Sequence, residues 1–178
     1  MPSFGSLQAR LLVVGLAPGL RGANQTGRPF TGDAAGDVLY PALQKAGFAT
    51  GTYGAHANDG FALQDARITN AVRCVPPENK PTGVEIANCR PFLADEIAAM
   101  PNVSAVLSLG LVSHRQVVSV LKARQADHPF AHGAVHRIDG LTLYDSYHCS
   151  RYNMNTGRLT VPMFDAVFVQ IAGALARG

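Results

Sequence analysis

The sequence predicts an α/β fold, a three-layer α/β/α sandwich around a four-stranded parallel sheet. Four short apolar runs stand out, the first of them continuous rather than alternating, as a strand buried on both faces is. Each run is followed by a stretch with apolar residues at helical spacing. Strands alternating with helices in this way build a parallel sheet covered on both sides.

The first run is Leu11-Leu12-Val13-Val14-Gly15-Leu16. It leads into a glycine-rich loop and then a helix carrying Val38, Leu39, Ala42, Leu43 and Ala46, stopped by Gly47. The second run, Arg67 to Val72, precedes a proline-rich loop and the capping box Thr82-Gly83-Val84-Glu85, which opens a helix presenting Ile86, Cys89, Leu93 and Ile97 on one face. The third, Val103 to Leu109, is followed by Leu111, His114, Val117, Val118 and Leu121. The fourth, Leu141 to Tyr147, is followed by a polar loop and a helix from near Thr160 that turns Phe164, Val167, Phe168, Ile171 and Leu175 inward. Thr50 to Gly60 is glycine-rich and polar, a surface loop.

With 178 residues and 18.8 kDa, the chain has room for one domain, 1–178, with a substantial core. Hydrophobic residues at 47% exclude a disordered chain, and no apolar run approaches the ~20 residues of a membrane span. The 15 basic residues comprise 12 arginines and 3 lysines. The arginine fork suits phosphates and base edges better than an ammonium does, so a polyanionic partner agrees with the net charge of +3. Three cysteines and an N-terminus without a signal-like pattern predict a cytoplasmic protein rather than a secreted disulfide framework.

Parallel sheets hold ligand groups in the loops beyond the carboxyl ends of their strands. The first such loop, GLAPGLRGANQTGRPFTGD, has five glycines and two prolines, yet neither a Walker lysine nor a GxGxxG. Phe30 within it either plugs the core or offers a flat face. In the second, NAVRCVPPENKP, Asn70 has a donor and an acceptor on one amide, suited to a base edge, or else serves as an ordinary cap. The fourth, SYHCSRYNMNTGR, places His148 beside polar residues and two arginines, a set suited to stabilising an anion. His132 and His136, flanking Gly133, read as structural rather than as metal ligands.

GLAPG…GRPFTGD, ITNAVRCVPPENKP and SYHCSRYNMNTGRLT, in this order, resemble the uracil-DNA glycosylase superfamily, most of all its family 5. The resemblance runs from about Gly5 to the last helix and implies the same four-stranded sandwich. It implies an enzyme that flips a damaged nucleotide from DNA and hydrolyses its glycosidic bond, removing uracil and other deaminated bases such as hypoxanthine. Under it, the backbone of Gly15, Leu16, Ala17, Pro18 and Gly19 lines the pocket floor, Phe30 stacks on the base, Asn70 bonds its edge and His148 donates to its carbonyl oxygen. Asp33, matching the family's TGD, orients the attacking water or merely caps the following helix. Ser150, Arg151, Tyr152, Asn153 and Met154 form the loop that enters the duplex, and Arg21, Arg28 and Arg158 contact phosphates. The expected partner is uracil-containing DNA, met by a monomer with no membrane involved.

The family's 4Fe-4S cluster uses four cysteines, two from an N-terminal Cys-x-x-Cys and two at the positions of Cys74 and Cys89. No cysteine stands in the first ten residues, so the expectation is no complete cofactor in this chain, the alternative being a cluster completed by an upstream segment. Without further ligands, Cys74 and Cys89 are expected as two buried thiols near each other. Two rival readings are a catalytically silent glycosylase-like protein that binds damaged or single-stranded DNA, and a nucleotide-binding module built on the first loop.

Overall fold

A computed structural model of the chain describes residues 1–177, the Asn79 side chain excepted. The strands are β1 (Phe4–Gly5), β2 (Leu11–Gly15), β3 (Ala49–Thr50), β4 (Ala62–Leu63), β5 (Ala66–Asn70), β6 (Ala105–Leu109), β7 (Val135–Ile138) and β8 (Leu141–Ser146). The helices are α1 (Ala23–Thr26), α2 (Gly36–Lys45), α3 (Gly83–Ala98), α4 (Leu111–Val120), α5 (Arg151–Asn155) and α6 (Val161–Leu175).

The main sheet has the order β1-β5-β2-β6-β8-β7. Its inner four strands are parallel, with Gly15 beside Asn70 and Ser108 beside Asp145, so their carboxyl ends finish on one edge. The four predicted strands are these four. Two antiparallel edge strands extend the expectation: β1 on β5, and β7 on β8. The β7–β8 hairpin turns at Asp139-Gly140, both at positive φ, the chemistry that a two-residue hairpin requires.

Side-chain alternation along the strands builds the two faces. Leu11, Val13, Ile68 and Leu107 pack on α2 and α6 through Leu39, Leu43, Phe164 and Phe168. Leu12, Val14, Val106 and Leu143 point the other way, against Leu93 of α3 and Val117 and Val118 of α4. Helices on both faces of a mostly parallel sheet make the α/β/α sandwich. The capping box forms as read, with the Glu85 amide donating to Thr82 Oγ1 and the Thr82 amide to Glu85 Oε2. Thr160 caps α6. No helix among the described residues is long and apolar enough to cross a membrane.

Candidate active site

Each inner strand ends at the same place. β2 delivers Gly15, β5 delivers Asn70, β6 delivers Leu109, and β8 runs through Tyr147 to His148. Between them lies a cavity of about 630 Å³ lined by Leu16, Ala17, Gly19, Phe30, Asp33, Asn70, His148, Ser150 and Arg151. This is the size of a small-molecule pocket and sits where parallel sheets bind ligands.

Two polar atoms in its wall lack partners. Asn70 Oδ1 and His148 Nδ1 are buried and have no hydrogen-bond partner among the described residues. Buried polar atoms left unpaired cost roughly 1–3 kcal/mol each. Both belong to residues that line the cavity, so an amide and an imidazole meet at one wall. The backbone of His148 is fixed by Asn153, whose Nδ2 donates to the His148 carbonyl at 2.8 Å. Burial pushes the His148 imidazole down to about 4, so the ring is neutral at pH 7.

That depression has a stability consequence. The fold excludes the proton that the unfolded chain takes up below its ordinary value of 6.5. The contribution of His148 is therefore fully present above pH 6.5 and lost as pH falls from there through about 4. Melting curves from pH 7.5 to 4.5 should show a steeper fall for the wild type than for His148→Gln. Parallel curves would contradict a buried neutral ring.

Phe30 is buried at 6% exposure, with φ at 58°, and its ring stacks against His148 with centroids 6.0 Å apart and planes 29° apart. Gly15 lies directly beneath, where a Cβ would meet the Phe30 ring and Asn70 Oδ1. Phe30 thus packs into the core and also presents its ring to the cavity, so the two alternatives are one arrangement. Asp33 caps the start of α2 and also lines the cavity. Its Oδ1 accepts the amides of Ala35 and Gly36, each at 3.1 Å, at the start of α2. Its Oδ2 lies on the Gly19 side, where a Cβ at Gly19 would sit 3.4 Å away. Burial pushes the Asp33 carboxyl up, against the two amides that pull it down.

Pro18 is buried and Gly15 underlies the wall, while neither lines the cavity itself. Ser150 caps α5 by accepting the Asn153 amide. On α5, Arg151 and Tyr152 point outward, Tyr152 at 71% exposure, whereas Met154 packs against the core. Arg21 and Arg158 are exposed, with the Arg158 guanidinium 4.6 Å above the Tyr147 ring.

Arg28 requires correction as a phosphate contact. It is 5% exposed, and its Nη1 and Nη2 donate to Asp59 at 2.8 and 2.7 Å. A guanidinium enclosed in a bidentate pair has no face left for a phosphate. Its partner sits in the loop read as surface; that loop is largely exposed, but Asp59 turns its carboxylate inward.

The end of the third inner strand adds a wall that is not among the expected site residues. Leu109, Gly110, Leu111 and Val112 all line the cavity. Gly110 at φ 96° turns β6 into α4, so the first-turn amides of this helix, which have no intrahelical acceptors, open there. The signal was present in SLGLVSH, a strand end followed by glycine and a helical pattern.

The three cysteines do not fit a four-thiolate iron–sulfur cluster among the described residues. Cys89 is buried, Cys74 is exposed rather than a second buried thiol, and Cys149 is enclosed with its Sγ directed at the Ala35 carbonyl. Burial pushes the Cys149 thiol up to about 12. His132 and His136 also part company. His132 Nδ1 faces Ser146 and Tyr147, while His136 joins His114 around the buried Asp145 at 3.1 and 2.8 Å, with Ser108 donating to the same carboxylate at 2.6 Å.

Residues 2–172 match the family described as the uracil DNA glycosylase superfamily. The chain is 42% identical to the type-5 uracil-DNA glycosylase of Thermus thermophilus over 171 residues, covering 96% of this chain and 78% of the relative. It is 44% identical over 161 residues to a protein of the same name from Pyrobaculum aerophilum, covering 90% and 70%. A type-5 uracil-DNA glycosylase of Mycobacterium leprae is 43% identical over 171 residues, covering 94% and 75%. On this match along nearly its whole length, the chain belongs to the uracil-DNA glycosylase superfamily, in its type-5 group.

Proposed function

We propose that the chain is a cytoplasmic DNA-repair hydrolase that extrudes uracil from DNA and cleaves its glycosidic bond, leaving an abasic site. The observation that carries this reading is one cavity lined by Asn70, His148 and Phe30, with Asn70 Oδ1 and His148 Nδ1 left without partners among the described residues. Uracil offers what they lack. Its ring N–H is a donor for Asn70 Oδ1, its carbonyl oxygens are acceptors, and its flat face suits Phe30. Base–aromatic stacking supplies about 1–3 kcal/mol toward the cost of unstacking the nucleotide. One chain, acting as one domain, provides all of these groups, so a monomer suffices.

The chemistry is electrostatic. As the bond between the sugar C1′ and the base nitrogen breaks, its electron pair leaves with the base and the sugar becomes cation-like. His148, held neutral, donates a hydrogen bond to the base carbonyl where negative charge grows, and the amides opening α4 face the same cavity. Water adds to C1′ and loses its proton to the Asp33 carboxylate, whose pKa is raised by burial toward that task. The exposed Arg21, Arg151 and Arg158 hold the backbone, and Tyr152 occupies the gap left in the stack.

The direct test is base release from an end-labelled oligonucleotide with one uracil, single- and double-stranded, read by alkali cleavage. Cleavage at the uracil alone is expected. A shifted complex without cleavage would overturn the enzyme in favour of a silent binder. Asp33→Asn keeps an oxygen for the Ala35 and Gly36 amides while removing the base. It should lower kcat by about 10²-fold or more with KM little changed. An unchanged kcat would assign Asp33 to capping alone.

A further inference from the structure

Arg28 is left without a role once it is removed from the DNA surface, and its surroundings are too elaborate for packing alone. Its guanidinium lies 5.3 Å from the ring centres of Phe4 and Tyr40, 5.7 Å from Tyr53 and 6.0 Å from Phe61. An apolar side chain would fill such a box more cheaply than a buried charge. What the charge adds is direction. Two parallel bonds fix the guanidinium to Asp59, and Nε donates to Thr31 Oγ1 at 2.7 Å. Arg28 and Thr31 bracket Pro29-Phe30, so this bond closes the short segment into a loop.

The peptide groups inside the loop are gripped as well. Tyr40 Oη donates to the Pro29 carbonyl at 2.5 Å, and Tyr53 Oη lies 3.5 Å from the Phe30 carbonyl. Gly36 gives the helix start room to press on that carbonyl, since a Cβ there would run into it. The result is Phe30 at φ 58°, a backbone state that non-glycine residues rarely adopt and that lasts only when the surroundings impose it. In that state the ring stands over Gly15 and against His148.

We infer that Arg28 and Asp59 are positioning residues: through Thr31 and Tyr40 they lock Phe30 in its left-handed conformation and so set the platform on which the extruded base stacks. The pair acts through Phe30 and touches no substrate. It also ties the platform to the 51–60 loop, because Asp59 is itself held by the amides of Gly54 and Phe61 at 2.9 and 3.0 Å. The inference rests on the glycosylase reading for its kinetic consequence, while its structural content is independent of that reading.

The test pairs two variants with two readouts. Asp59→Asn removes the charge pairing at constant size, and Tyr40→Phe removes only the bond to the Pro29 carbonyl, leaving the core filled should the first variant fold poorly. On a uracil oligonucleotide, each is expected to raise KM at least about fivefold with kcat within about twofold, the weaker end of what base stacking supplies. Placed on a Phe30→Ala background, each should add nothing further. An equal rise on both backgrounds would show a general structural effect and overturn the inference. Crystal structures of the variants give the second readout: Phe30 should leave positive φ and its ring should withdraw from Gly15. A ring and backbone unmoved in both variants overturns the inference whatever the kinetics, including the case in which the wild type releases no uracil and the glycosylase reading alone has failed.

Discussion

His148→Ala is expected to lower kcat for uracil release by about 10²–10³-fold, the loss that follows removal of one preorganised donor from a developing anion. Single-turnover cleavage of a uracil oligonucleotide at pH 7.5 measures it. The melting temperature should move far less than the rate. Removing the ring opens a cavity, but it also removes a buried nitrogen that has no partner among the described residues. A variant that lost activity and stability together would point instead to a scaffold role. Because the ring is neutral well above its depressed pKa, the wild-type rate should not titrate through His148 between pH 6 and 8. A step near pH 6.5 would mean that the imidazolium is the active form.

Gly15→Ala is the second large effect, expected to cost about 10²-fold in kcat/KM. A Cβ at this position would come within 2.5 Å of Phe30 Cζ and 2.8 Å of Cε2, and would crowd Asn70 Oδ1 as well. The strand beneath cannot yield, since Gly15 pairs with Asn70 across β2 and β5. The ring and the amide must therefore give way, and displacement of about 1 Å at a reacting site is enough for a loss of this order. Overpacking should lower stability by about 1–3 kcal/mol as well. Measuring kcat/KM beside urea unfolding separates the two terms. A variant with wild-type kcat/KM would show that the gap above Gly15 is not needed.

The inner sheet was legible because burial on both faces leaves short, largely apolar runs, clearest at Leu11–Val14 and Ala105–Leu109. Thr82 and Thr160 were legible as caps because capping is local chemistry. β1 was not, being two residues whose pairing depends on β5, distant in sequence. β7 could have been read from Asp139-Gly140 between apolar flanks. Arg28 misled for a different reason: a lone arginine in a glycine-rich loop carries no mark of burial, and its partner lies 31 residues away. In the site, Asn70 and His148 were visible as polar residues ending apolar strands. The Leu109–Val112 contribution was masked, because its lining is backbone and aliphatic side chains with no chemical signature of their own.

The unpartnered Asn70 oxygen and His148 nitrogen also bear on what happens after the bond is cut. Under the proposed function, side chains that receive the base while it is joined to DNA meet the same edges on the free base. The excised base is then expected to act as a ligand, raising the melting temperature by mass action and competing with the next lesion. On that reading, product departure rather than bond cleavage limits repeated turnover, and uracil added to a multiple-turnover assay should slow it more than it slows a single turnover.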